Sequence, residues 1–167
     1  MRAFETARMR VCSWELDLAE AARRAALRAD LAAILTAPVL EHLPPSLALP
    51  ETAHPVEDWI AARHAVSDVY AVRDRASHEL AGLIFLFQMP EVQEGGTVHL
   101  GYLFGERFWG RGYASEVVAG VVTALLKTAI NAGVSRANPA SARVLVKAGF
   151  LRDVAASTAD MDVFLRS

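Results

Sequence analysis

The chain has 167 residues, a length that suits one domain spanning residues 1–167. Hydrophobic residues make up 53% and charged residues 22%, which supplies a sizeable core and excludes a disordered chain. The net charge of −2, with no concentrated basic stretch, argues against nucleic acid as a partner, and a single cysteine, Cys12, excludes an internal disulfide or a cysteine metal cluster.

The five histidines (His42, His54, His64, His78 and His99) show no ligand spacing, so no metal site is expected. No signal peptide is visible, and the longest apolar runs, Leu80–Phe87 and Val117–Leu126, are too short to span a bilayer. The expectation is a soluble cytoplasmic protein, monomeric or homodimeric, with no membrane partner.

In chain order, Ala7–Trp14 alternates Ala7, Met9 and Val11 against Arg8, Arg10 and Cys12, the period of a first strand. From Asp17 to about Leu35 the residues are Ala-, Leu- and Arg-rich at helical spacing. Asp17 reads as the N-cap, with Glu20 three residues later as in a capping box. Pro38, Pro44, Pro45 and Pro50 then predict a loop with turns, and Val56–Val66 a short helix after Pro55. Asp68–Arg73 and Glu79–Gln88 predict a hairpin. The apolar run Leu83–Phe87 marks its second strand as central and covered on both faces. A turn at Glu94, Gly95 and Gly96 leads to a fourth strand, Thr97–Phe104.

The segment Gly105-Glu106-Arg107-Phe108-Trp109-Gly110-Arg111-Gly112 follows, and a helix runs from Tyr113 to about Leu126. A strand, a glycine-bearing loop and a helix start make an anion site. Glycines let backbone N–H groups approach a phosphate, and the helix start adds unpaired donors with partial positive charge. No Gly-Lys-Ser/Thr follows, so this is not a P-loop, and the third glycine or alanine of the dinucleotide fingerprint is missing. Two glycines alone also fit a tight turn. A strand at about Thr128–Ser135 comes next. Asn138 as N-cap and Pro139 as first residue open a helix that Gly149 ends, and Phe150–Ala156 and Asp160–Arg166 complete a mixed α/β sandwich with helices on both faces.

Two segments resemble the GNAT N-acetyltransferase superfamily. Trp109-Gly110-Arg111-Gly112-Tyr113-Ala114-Ser115-Glu116 is similar to its acetyl-CoA pyrophosphate loop. The stretch from Asn138-Pro139-Ala140-Ser141 to Lys147-Ala148-Gly149-Phe150 is similar to a helix of the branch holding the ribosomal-protein-alanine N-acetyltransferases, and the opening Thr6–Val11 is similar to that branch's first strand. The chain departs from the family at several places, two of them at candidate catalytic positions. Leu145 stands where many members carry a tyrosine acid, and His99 where the branch often has Glu.

The resemblance implies a mostly antiparallel seven-stranded sheet that splays between its fourth and fifth strands to admit pantetheine. The backbone of Leu103 and Phe104 would pair with it, and the N–H groups of Gly110, Arg111, Gly112, Tyr113, Ala114 and Ser115 would hold the pyrophosphate. Arg107 and Arg111 read either as phosphate-facing charge or as surface solubility. The reaction implied is direct transfer of acetyl from acetyl-CoA to an amine, either a protein N-terminus or a small molecule. His99 is the candidate base or a hydrogen-bonded strand histidine. Ser141 is the candidate acid at the thiol or is bonded locally to the helix start. Asn138 is a cofactor contact or a cap alone. The alternative is a non-catalytic acyl-CoA-binding or sensory module.

Overall fold

The computed structural model describes residues 1–88 and 97–167. The turn expected at Glu94, Gly95 and Gly96 lies outside the described residues. The strands described are β1 (Phe4–Glu5), β2 (Met9–Ser13), β3 (Asp68–Asp74), β4 (Leu80–Gln88), β5 (Thr97–Phe104), β6 (Ala129–Ser135), β7 (Leu151–Asp153) and β8 (Met161–Arg166). They form one sheet in the order β1-β2-β3-β4-β5-β6-β8-β7. Every pairing is antiparallel except β5 with β6.

The helices are α1 (Glu15–Leu18), α2 (Ala21–Ile34), α3 (Ala37–Glu41), α4 (Pro55–His64), α5 (Tyr113–Ala124) and α6 (Pro139–Lys147). Side chains alternate across a strand, so each face of the sheet carries its own core. On one face Leu100 and Phe104 of β5 pack with Val117 and Val121 of α5 and Leu145 of α6. On the other, Leu103 and Phe85 pack with Leu27 and Leu31 of α2 and Trp59 of α4.

The feature that positions the site is where β5 and β6 part. β5 pairs with β4 along its length, from Val98 opposite Gln88 to Phe104 opposite Gly82. It pairs with β6 only at Thr97, Val98 and His99, opposite Ala129, Ile130 and Asn131. Beyond His99, β5 follows β4 while β6 follows β8, and one backbone edge of β5 is left free.

Several expectations are corrected. The sheet has eight strands rather than seven, because Phe4–Glu5 adds an edge strand. Its Phe4 ring lies where a Cβ on Gly120 of α5 would stand, 2.3 Å away, so a glycine in mid-helix makes room for it. The helix expected from Asp17 to Leu35 is two helices, broken at Ala19 and Glu20, where Glu20 takes extended backbone (φ −125°, ψ 133°). Asp17 is not a cap. It lies within α1 and meets Nη2 of Arg73 at 3.3 Å, while Asp30 meets Nη1 at 2.9 Å. The proline-rich loop contains α3, with Pro38 in its first turn, where a missing N–H costs nothing. The strand expected over Phe150–Ala156 stops at Asp153, whose Oδ1 accepts the N–H groups of Ala155 and Ala156 and turns the chain.

The caps of α6 follow the sequence closely. Asn138 Oδ1 accepts the Ser141 N–H at 3.0 Å. At the other end Gly149 holds φ +85°, its N–H donates to Val146 O, and the Phe150 N–H donates to Leu145 O. That pair of bonds, with Phe150 and Leu145 both in the core, is the Schellman ending.

Candidate functional site

The loop after β5 is shaped by its glycines. The chain leaves the sheet at Gly105, makes a 3-10 turn over Glu106–Phe108, and is pinned where Trp109 Nε1 donates to Phe104 O at 2.6 Å. Gly110 and Gly112 hold φ +70° and +78°, the left-handed region that side chains disfavour. A Cβ on Gly110 would meet nothing within 4 Å, and one on Gly112 would first meet Arg8 Nη2 at 3.6 Å. Gly112 is also the N-cap of α5 and has no side chain to cover the helix start. The first bond of the helix runs from Glu116 N–H to Gly112 O, so the N–H groups of Tyr113, Ala114 and Ser115 have no backbone acceptor among the described residues. Glycine cradle and open donors together fit an anionic pyrophosphate.

Arginines surround this loop, though not all as expected. Arg111 lies over the Tyr113 ring at 4.9 Å, and Arg8 lies over the same ring at 4.2 Å. Arg107 is held by Glu79 at 3.1 Å and packs on Phe108. The sequence alone marks Arg8 only as a strand residue, because its role depends on β2 passing beside α5. Its Nη1 donates to Arg111 O at 3.0 Å, and its Nε donates to Glu116 Oε2 at 2.7 Å. Glu116 also accepts the Arg8 N–H at 2.8 Å and the Thr6 hydroxyl at 2.5 Å. Burial raises the Glu116 carboxyl, but these donors outweigh it and hold it below the usual carboxylate range.

The free edge of β5 can be read residue by residue. The Gly105 N–H donates to Ala81 O, and Leu103 O lies 2.2 Å from where a Cβ on Gly82 would stand, so both point towards β4. By alternation the backbone groups of Leu100, Tyr102 and Phe104 face the gap. Of the Phe104 backbone the N–H is open to the gap while the carbonyl oxygen is taken by Trp109 Nε1, whereas Leu103 turns its backbone towards β4 and buries its side chain in the core.

His99 and Ser141 lie on opposite faces of the sheet. His99 sits at the last pair before the strands part, and its Nδ1 lies 2.6 Å from Asn131 Oδ1. An amide oxygen only accepts, so this bond puts the proton on Nδ1 and leaves the Nε2 lone pair available. Phe87 flanks the ring at 6.0 Å. Three residues along the strand, Tyr102 points to the other face, where its hydroxyl meets Ser141 Oγ at 2.7 Å. Leu145 is fully buried in the core and offers no polar group. Asn138 caps α6. Asn131 and Tyr102 escaped sequence reading because each acts through a partner 32 or 39 residues away. Among the described residues no group of three His, Cys, Asp or Glu side chains could hold a metal ion.

The sequence matches the family model described as an acetyltransferase (GNAT) domain over residues 10–151. No curated protein sequence matches the chain. Among solved structures, a probable acetyltransferase of the GNAT family from Chromobacterium violaceum superposes with a TM-score of 0.71 at 21% identity, covering 98% of this chain and 84% of that one. RimL, a ribosomal alpha-N-protein acetyltransferase solved with coenzyme A, gives 0.70 at 13% identity, covering 98% and 97%. A ribosomal-protein-alanine acetyltransferase from Vibrio fischeri gives 0.69 at 16% identity, covering 98% and 93%. At these identities the likeness is one of fold.

Proposed function

The chain belongs to the GNAT acetyltransferase family and is an acetyl-CoA-dependent acyltransferase, and from that premise we propose that residues 1–167 form one domain that moves acetyl to an amine by direct attack. The observation that carries this reading is the gap between β5 and β6 opening beside the glycine loop. Acetyl-CoA supplies an acetyl group activated as a thioester. The N–H groups from Gly110 to Ser115 hold its pyrophosphate, with Arg111 adding positive charge. The free backbone of Tyr102 and the N–H of Phe104 face the pantetheine as a strand edge faces a partner strand. Arg107, tied to Glu79, is a weaker candidate for phosphate contact than Arg111.

The two faces of the sheet have different tasks in this proposal. The amine reaches the acyl carbon from the His99 face, where helices α1–α4 cover β3 and β4 and leave the β6 and β8 side open. His99 Nε2 accepts the proton the amine must lose, directly or through water, while Asn131 fixes the ring and its tautomer. On the opposite face Ser141 Oγ and the N-terminus of α6 stabilise the departing sulfur. Holding both reactants at the gap supplies much of the acceleration by orientation alone.

The acceptor is a protein N-terminus or a small amine. RimL and the Vibrio fischeri protein act on ribosomal proteins, which supports the first; the fold by itself does not choose. No helix among the described residues is long and apolar enough to cross a membrane. Together with the expected cytoplasmic location, this is compatible with either acceptor. Thiol release from acetyl-CoA, followed over a panel of small amines and peptides with varied N-termini, tests the proposal. Release that depends on one class of amine supports it; release with none, while acetyl-CoA binds, returns the non-catalytic binding module.

A further inference from the structure

We propose that Tyr102 is a positioning residue for Ser141, directing the serine hydroxyl at the sulfur that leaves the acyl donor. The inference rests on the transferase reading above.

Tyr102 lies on the part of β5 that has separated from β6, and its side chain crosses to the first turn of α6. Its hydroxyl lies 2.7 Å from Ser141 Oγ and donates to Ser141 O at 3.2 Å. A carbonyl oxygen only accepts, so the single phenolic proton is directed onto Ser141. From the other side Asn138 Oδ1 binds the Ser141 N–H. Ser141 is therefore held at its N–H, its carbonyl and its hydroxyl, by partners from α6 and β5. Either hydroxyl can donate across the 2.7 Å contact, and with the phenol as donor the serine's own proton is left for a third group at the gap. No hydroxyl comes from position 145, where Leu145 is buried in the core. Tyr102 brings one to the same helix from the neighbouring strand.

In the reaction the amine nitrogen bonds to the acyl carbon, the carbon–sulfur bond breaks, and its electron pair leaves on sulfur. The amine's proton goes to His99 or water. Ser141 O–H hydrogen-bonds the thiolate, and Tyr102 strengthens and aims that bond. The phenolic proton stays where it is. Burial pushes Tyr102 up to about 12, making it a far weaker acid than a thiol near ~8.5.

The test has a binding arm and a turnover arm. Calorimetric affinities for coenzyme A and for desulfo-coenzyme A are compared at pH 7 and pH 9, in the parent, Tyr102→Phe, Ser141→Ala and the double variant. A site that favours thiolate lowers the pKa of the bound thiol, so affinity for coenzyme A rises with pH until the free thiol has ionised. In the parent the ratio of the two affinities should rise on the order of tenfold between those pH values. The rise should be smaller in Tyr102→Phe and in Ser141→Ala, which keep the start of α6 but lose the aimed hydroxyl, while desulfo-coenzyme A binds all four proteins alike. In turnover, Tyr102→Phe should lower kcat on the order of tenfold with the KM for acetyl-CoA unchanged. The double variant should be no slower than Ser141→Ala. A Tyr102→Phe protein that keeps the parent's pH-dependent ratio, or losses that multiply in the double variant, overturn the proposal. A parent that binds neither ligand overturns the transferase reading itself, and this inference with it.

Discussion

Gly112 holds a left-handed backbone and caps α5 with no side chain beside the N–H groups of Tyr113, Ala114 and Ser115. Gly112→Val adds a branched side chain at the loop proposed to hold the pyrophosphate. It is expected to abolish measurable acetyl-CoA binding in calorimetry while the far-UV circular dichroism spectrum stays native; parent-like binding would remove the loop from the site. His99 carries the second residue-scale prediction. General acid–base groups contribute about 10²–10⁴-fold, so His99→Gln should lower turnover within that range and leave acetyl-CoA affinity unchanged. The loss should shrink as pH rises and more acceptor is free amine. Equal turnover of parent and variant across the pH range would leave solvent as the base. At this scale the glycines and the capping Asn138 were legible in the sequence, because each answers a local backbone demand. Asn131, Tyr102 and Arg8 were not, since each takes its meaning from a partner brought near by the fold.

Between elements, Glu116 ties β2 to α5. It accepts from Thr6 and Arg8 in the bend that leads into β2, and Arg8 reaches on to the carbonyl of Arg111. Hydrogen bonds to a charged group contribute about 1.5–3 kcal/mol each, but Arg8 is 44% exposed, so the network as a whole is expected to contribute about 2 kcal/mol. Glu116→Ala should lower urea stability at pH 7 by that amount. The sign of the pH effect follows from the depressed carboxyl. The contribution is present above the unfolded carboxylate value of ~4.3 and is lost as pH falls through the lower folded value. Parent and variant should therefore converge in stability on acidification; a constant difference from pH 7 to pH 2 would show that charge is not the source. The break between α1 and α2 shows why elements were partly hidden. Composition over Asp17–Leu35 is uniformly helical, but Trp14 is buried in the core and Arg73 draws both Asp17 and Asp30 to itself. Tertiary contacts, not propensity, set that break. The end of α6 was legible because Gly149 needs positive φ there.

For the whole molecule, the sheet behaves as two halves that share only three paired positions across β5 and β6. Helices α1–α4 pack on the half ending at β5, and the same face beyond β6 exposes Leu151, Met161 and Leu165. The succession of elements along the chain and the mixed α/β layers were within reach of the sequence, since alternation and glycine punctuation mark most elements, whereas the splay of the sheet was implied only by the family resemblance. The eighth strand was missed because a two-residue edge strand leaves no period to read. Acceptor identity was out of reach for a related reason: it depends on loops that approach one another only in the fold. The most direct test of the account is a crystal structure of the parent protein with coenzyme A bound. The account predicts pyrophosphate oxygens about 2.9 Å from N–H groups between Gly110 and Ser115, with pantetheine in the gap beside Tyr102 and Phe104. Coenzyme A bound elsewhere, with β5 and β6 paired beyond His99, would contradict it.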